Sequence, residues 1–331
     1  MSPFRFVIVG CGRMGQAHSA RLASHPDAVL VGFFDPDIAA ASKLRDEFAP
    51  NAVVAGSLDD LFRLDADAVV IGTPTTAHRE QVEAAASRGW HVLCEKPLAE
   101  NRTSIDALCE LAAKHDGQHF QLGYQRRFWT PYSRMKSEIE SGEHGHVQAV
   151  VSVSSERWQQ TIAGTWRDDP GINFGGFLGD AGSHKIDMLF YVTGLSPESV
   201  FAISSRVGST VEILTSVTGT FSNGASLTMS QTGNANSFCE ELFVHCERAD
   251  LILRDGRLWL GRDNQQTPIE TPADEYGVES VRNPVSGFLD LLCGRAENVA
   301  PFECARPVFE LTAAILESVS TKTLVEGLAA G

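Results

Sequence analysis

The chain has 331 residues, 43% hydrophobic and 21% charged, which is enough apolar material for two globular domains. Its 27 basic against 42 acidic side chains leave a formal charge of -15, which repels phosphate backbones and anionic lipid and argues against nucleic-acid or membrane partners. Seven cysteines, at positions 11, 94, 109, 239, 246, 293 and 304, form no CxxC pair and read as reduced thiols, with neither a disulfide framework nor a zinc site.

No apolar run approaches the roughly 20 residues of a membrane span. Only Met-Ser-Pro-Phe-Arg precedes the first apolar run, too short for a signal peptide, so a cytoplasmic location is expected.

From the N-terminus, apolar runs alternate with helix-like segments. Strands are expected at 4–9, 28–34, 51–54, 68–72, 91–94 and 119–123, with helical stretches at 15–24, 38–48, 57–62, 78–88 and 103–115 between them. The run at 68–72 is nearly pure Ala, Val and Ile, as in a strand covered on both faces. This alternation implies a parallel sheet with right-handed crossovers.

Beyond about residue 145 the rhythm changes to Val-, Ser- and Thr-rich alternation at 147–155, 200–207 and 211–221. Asn223-Gly224 and Asp255-Gly256 mark two hairpins. Val308, Leu311, Ile315 and Val319 recur at helical spacing and predict a late helix. The expected fold is α/β: an N-terminal Rossmann domain over 1–123, then an α/β domain over 124–331 with a large, open, mostly antiparallel sheet. The C-terminal helix is placed to pack back on the first domain.

The segment VIVGCGRMG sets Gly10, Gly12 and Gly15 in a GxGxxG pattern after a strand and at the opening of a helix, the context that motif needs. Gly10 permits the tight turn, Gly12 lets backbone approach a diphosphate, and Gly15 allows close helix-strand packing. The amides near Arg13 and Met14 face the phosphates. Asp35 follows about 20 residues later, where a carboxylate bonds adenosine ribose hydroxyls and repels a 2′-phosphate, favouring NAD over NADP. The alternative is a turn-forming aspartate before Pro36.

At the ends of the next two strands stand Gly72-Thr73-Pro74 with His78, and Glu95-Lys96-Pro97, on the edge where ligands bind in such sheets. Lys96 is able to donate a charged hydrogen bond to a substrate oxygen, or to be merely solvated. Asp180, His184 and Asp187 share one face if a helix has begun by Asp180, an arrangement suited to proton transfer, to helix capping or, less well, to a metal lacking a fourth ligand. No metal is expected.

Together the pieces VIVGCGRMGQAH, VVIGTPTTAH, VLCEKPLA, GYQRRF and WRDDPGINFGGFLGDAGSHKIDMLFYVTG resemble the glucose-fructose oxidoreductase / inositol dehydrogenase / MocA family, in the family's order and over residues 4–194. The resemblance implies hydride exchange between NAD and a carbinol carbon of a polyol, inositol, sugar or related molecule, in a homo-oligomer that uses the open sheet face.

It further implies that Lys96 bonds the reacting oxygen, Asp180 orients substrate and His184 exchanges the proton. Thr73, Pro74, His78, Glu95 and Pro97 line the cofactor cleft, with a cis peptide before Pro97 unsurprising, and Arg127 lies near the nicotinamide unless it forms a salt bridge. Trp158, Trp166 and Arg167 are candidates for a sugar-facing wall, with Asp187 beside it, or for core and surface. Phe177 stands where the family usually has a glycine, either narrowing the pocket or packing beneath it. Reduction of a carbonyl or imine by the same residues, and a dinucleotide sensor without turnover, remain the alternatives.

Overall fold

Six short strands, β1 (Phe4–Val9), β2 (Ala28–Phe34), β3 (Val53–Val54), β4 (Ala68–Ile71), β5 (His91–Cys94) and β6 (Phe120–Leu122), form one parallel sheet in the order β3-β2-β1-β4-β5-β6. Between them run α1 (Arg13–Ala23), α2 (Ile38–Phe48), α3 (Leu58–Phe62), α4 (His78–Ser87) and α5 (Arg102–Lys114). The computed structural model describes residues 2–271 and 281–328.

Sequence dictates these boundaries locally. Asp37, Ser57 and Asn101 cap α2, α3 and α5 by accepting backbone N–H bonds. All four residues of β4 are buried, because the strand lies inside the sheet and is covered on both faces.

The second sheet has nine strands. After α6 (Thr130–Glu140) come β7 (Val147–Ser155), α7 (Trp158–Ile162), α8 (Gly176–Gly179) and α9 (Ser183–Thr193). Then follow β8 (Pro197–Ser205), β9 (Leu214–Phe221), β10 (Ser226–Thr232), β11 (Cys239–Cys246), β12 (Asp250–Arg254), β13 (Arg257–Arg262) and β14 (Gln265–Ile269). With β15 (Val325–Glu326) the order is β14-β13-β12-β11-β7-β10-β9-β8-β15, antiparallel except for the β7/β10 pair. Both expected hairpins are present: Asn223-Gly224 joins β9 to β10, and Asp255-Gly256 joins β12 to β13 with positive φ at Asp255 and Gly256.

Two further helices close the chain, α10 (Pro284–Leu292) and α11 (Ala305–Thr321). The chain divides into two compact units, residues 1–124 with 283–305, and residues 125–282 with 306–331. The segment that returns to the first unit thus carries α10; the last helix, apart from its first residue, belongs to the second. Val285, Phe288, Leu289 and Leu291 of α10 join Phe6, Ile8, Leu22, Leu30 and Val70 in one core, and burying each large side chain contributes about 1.5–3 kcal/mol. The Gln121 side chain fastens the segment by donating to the Pro284 carbonyl at 2.8 Å. Among the described residues no helix is long and apolar enough to cross a membrane.

Candidate functional site

In the first unit the glycine turn sits where β1 meets α1. Gly10 has φ +90°, and a Cβ there would lie 2.8 Å from the Gly72 carbonyl carbon and the Thr73 nitrogen. A Cβ on Gly15 would overlap the Gly10 carbonyl oxygen. Both glycines are therefore required by the fold. Gly12 differs: a Cβ there would meet nothing within 4 Å, so the protein itself does not demand glycine. A diphosphate approaching the backbone there would. Gly12 is also the N-cap of α1 and supplies no capping side chain, which leaves the amides that begin at Arg13 and Met14 to a ligand.

Asp35 follows β2 and accepts the Cys11 N–H at 2.7 Å and the Asp37 N–H at 2.8 Å. The carboxylate is thereby fixed beside the turn, where a ribose would lie. Burial, with the Asp35 charge, pushes the Cys11 thiol up to about 12, so Cys11 stays protonated and inert.

The ends of β4 and β5 continue this edge. The Gly72 N–H donates to the Val9 carbonyl at 2.8 Å and the Glu95 N–H to the Ile71 carbonyl at 2.9 Å, so the three strand ends are in step. His78 is completely buried. Its Nδ1 lies 2.9 Å from the Pro97 carbonyl oxygen and its Nε2 2.9 Å from that of Thr73, and burial holds its pKa low. The ring ties the two loops together and does not line an open cleft, which corrects the expectation for His78. Thr73 donates its hydroxyl to Gln81 at 2.6 Å, and Pro74 is exposed. The Lys96-Pro97 bond is cis, and both residues are half-buried.

Glu95 is buried beneath this loop. Its Oε1 lies 2.7 Å from His18 Nε2, and its Oε2 accepts the Lys96 N–H at 3.3 Å. Burial pushes the carboxyl up, but the His18 bond and charge and the Lys96 charge outweigh it and hold Glu95 below the usual range.

In the second unit the helix begins at Ser183, not at Asp180. Asp180 follows α8 with φ -87° and ψ -90°, so it does not share a helix face with His184 and Asp187, because the small residues Gly179, Ala181 and Gly182 let the chain turn before the helix starts. Its Oδ2 instead accepts the Trp158 indole N–H at 2.9 Å and the Arg167 Nε–H at 3.0 Å. His184, on the first turn of α9, is buried.

Asp187 is fully buried and bound by Arg127, whose guanidinium also lies 4.9 Å from the Tyr191 ring centroid. Both residues lie inside this unit: Arg127 forms the salt bridge that was the alternative to a place near the nicotinamide, and Asp187, expected beside the substrate wall, is bound by its guanidinium. Trp158 is core: it packs on Phe177 with centroids 5.6 Å apart, and Phe177 is buried beneath it. Trp166 is half-buried under the Arg167 guanidinium, 4.2 Å from its ring centroid.

Sequence reasoning missed two groups. His18 stands at the end of GQAH, one turn beyond Gly15, and its position in that motif was the available signal. The other is a buried ionic cluster: Arg126 binds Glu240 through two nitrogens, Tyr132 donates to Glu240, and Lys185 binds Glu156 and lies 3.7 Å from Glu240. In β11 Glu240 occupies the inward-facing set with Leu242, Val244 and Cys246. A charge on the apolar side of an alternating strand was the sign. Among the described residues no cluster of His, Cys, Asp and Glu could hold a metal ion.

A glycine turn stripped of side chain where a diphosphate would lie, a ribose-side carboxylate and a lysine on the same strand edge define a dinucleotide-binding Rossmann domain of the oxidoreductase kind. The chain belongs to the Gfo/Idh/MocA family: residues 4–124 match its NAD-binding Rossmann-fold oxidoreductase domain, and residues 132–252 match its C-terminal domain.

Among curated relatives it is 29% identical over 207 residues to the rhizopine catabolism protein MocA of Rhizobium meliloti, covering 62% of each chain. It is 26% identical over 292 residues to the myo-inositol 2-dehydrogenase of Thermotoga maritima, covering 84% of this chain and 80% of that one. The chain spans 62%, 55% and 43% of the length of the first three curated relatives it matches. It shares the fold of the crystal structure of myo-inositol 2-dehydrogenase from Lactobacillus plantarum, with a TM-score of 0.81 at 19% identity and 98% and 99% of the two chains covered.

Proposed function

We propose that the protein catalyses reversible NAD-dependent oxidation of a secondary alcohol on a polyol, inositol, sugar or sugar derivative. The observation that carries the reading is Lys96 at the end of β5, two strands from the glycine turn. Strand spacing of about 4.8 Å makes that separation about 10 Å, within the length of a dinucleotide whose diphosphate rests on the turn. The names of relatives, inositol dehydrogenases among them, support the substrate class.

Bound NAD supplies the hydride acceptor. The protein's residues do the rest: Gly12 and the amides after it seat the diphosphate, and Asp35 selects the unphosphorylated ribose. Lys96 stabilises the negative charge that develops on the substrate oxygen, His184 accepts its proton, and Asp180 orients substrate through the Trp158-Arg167 frame. Each group serves the reverse direction equally, so reduction of a carbonyl uses the same residues.

The homo-oligomer is proposed to form through the open sheet face. Phe201, Thr218, Thr228, Val151 and Phe243 lie in register across it, and Phe201 and Ile203 are 37% and 64% exposed. Light scattering of Ile203→Glu tests this by a fall in mass. A reducing, cytoplasmic setting is supported by seven cysteines that are all free.

The deciding experiment is a panel of inositols, sugars and sugar acids with NAD⁺, read as NADH absorbance, repeated with Lys96→Met and His184→Asn. Loss of Lys96 is expected to lower kcat by about 10² or more, the usual cost of losing a donor to a developing oxyanion. Full turnover by both variants overturns the assignment. Tight NADH binding with no turnover on any panel member favours a sensor.

A further inference from the structure

A buried polar group in the first unit lies under the lysine loop, where a histidine–carboxylate pair occupies space that apolar side chains would fill. His18 is 1% exposed and Glu95 7% exposed. Replacing such a pair with well-packed hydrophobic residues is often neutral or stabilising, so stability alone does not account for it. His18 Nδ1 is buried without a hydrogen-bond partner, a further cost that a residue serving only to pack would avoid.

The geometry shows what the pair connects. His18 lies on the second turn of α1, the helix whose first amides face the diphosphate site. Glu95 stands immediately before Lys96 and divides its carboxylate, with Oε1 on the His18 ring and Oε2 on the Lys96 N–H. Gly123 closes the other side: a Cβ there would lie 3.0 Å from the Glu95 carboxyl carbon. The carboxylate is boxed in, and only the imidazole reaches it from α1.

We propose that His18 is a positioning residue: through Glu95 it holds the Lys96 backbone in register with the diphosphate-binding helix, so that seating the dinucleotide and aiming the lysine are one rigid arrangement. The inference rests on the proposed role of Lys96. With His18 removed, Oε1 becomes an acceptor for the neighbouring Lys96 ammonium, which draws the side chain toward Glu95 and away from a substrate oxygen. Displacing a catalytic group by about 1 Å costs on the order of 10²-fold in rate, while dinucleotide contacts made elsewhere are untouched.

The test compares wild type, His18→Met, His18→Gln, Glu95→Gln and Lys96→Met. Measured are kcat on the panel compound oxidised fastest by wild type, and NADH affinity from fluorescence. Methionine fills the space without a donor; glutamine sets an N–H near the position of Nε2.

His18→Met is expected to lower kcat by about tenfold or more and to shift the NADH dissociation constant by less than about threefold, with His18→Gln recovering most of the rate. Combining His18→Met with Glu95→Gln should cost no more than Glu95→Gln alone, because the two residues act as one unit. A His18→Met enzyme at the wild-type rate overturns the proposal, as does equal loss of rate and NADH binding, or additive effects in the double variant. If Lys96→Met keeps full turnover, or wild type oxidises nothing on the panel, the reading of Lys96 has failed and this inference fails with it. An inactive Lys96→Met beside a fully active His18→Met overturns the positioning role alone.

Discussion

Arg127 and Asp187 bind each other through two nitrogens inside the second unit, with Nη2 2.6 Å from Oδ1 and Nε 2.8 Å from Oδ2. The bond joins the turn at 125–128 to α9, three residues beyond His184. Burial pushes the Asp187 carboxyl above its usual range, and the guanidinium opposes that push. An ion pair in this setting registers α9 more than it stabilises the fold, because desolvation of both charges offsets much of their attraction.

Breaking one side of the pair is therefore expected to be costly and replacing both sides cheap. Asp187→Asn leaves a buried guanidinium without its counter-charge and should lower unfolding stability by about 3–5 kcal/mol. The double variant Arg127→Met with Asp187→Leu should recover most of that loss. Urea unfolding of the three proteins checks it. A wild-type midpoint for Asp187→Asn would remove the pair from any account of how α9 is held.

The three glycines of the turn should separate into fold and ligand roles. Gly15→Ala places a methyl against the Gly10 carbonyl and forces backbone to move, which should cost about 1–3 kcal/mol or more. Gly12→Ala meets no protein atom within 4 Å, and its φ of -72° and ψ of -158° suit any residue. Its melting temperature should match wild type while NADH affinity falls about tenfold or more, the loss expected when backbone is held back from the diphosphate. Melting curves and fluorescence titrations on the same samples distinguish the two roles.

Cofactor choice is proposed to turn on Asp35. The Cys11 and Asp37 amides fix its carboxylate, so it cannot swing aside to admit a 2′-phosphate. Asp35→Ser should weaken NADH and improve NADPH, changing the ratio of the two dissociation constants by about tenfold or more. An unchanged ratio would leave Asp35 as a turn residue only.

The Rossmann half was legible because its signals are local: a strand pattern, a glycine spacing and capping residues act within a few positions of one another. The hairpins were legible for the same reason. What the sequence withheld were pairings over long separations. Arg126 and Glu240 are 114 positions apart, and His18 and Glu95 are 77 apart. Asp180 was misread because helical spacing was extended back through Gly182, where the chain turns instead. For Trp158 the sequence left a sugar-facing wall and the core both open, and the core reading holds, since aromatic residues serve either purpose until their neighbours are known. The return of 283–305 to the first unit left no local mark beyond the Asn283-Pro284 helix start.

Acid sensitivity should trace to Glu240. Burial pushes this carboxyl up, but the Arg126 and Lys185 charges and the Arg126 and Tyr132 bonds overcome it and bring it from the ordinary 4.5 down to about 2. A carboxyl depressed in the folded state contributes stability that is fully present above its unfolded value and disappears as pH falls through its folded one. The window therefore runs from about pH 4.5 down to about pH 2, with a contribution on the order of 3 kcal/mol. Glu240→Gln keeps the size of the side chain and removes the charge. Its urea midpoint should lie well below that of wild type at pH 7, where Arg126 and Lys185 lose their shared counter-ion. The gap should narrow steadily as wild type is acidified and its own Glu240 becomes neutral. A gap that stayed constant from pH 7 to pH 2.5 would mean the loss came from packing, and the depressed carboxyl would have to be given up.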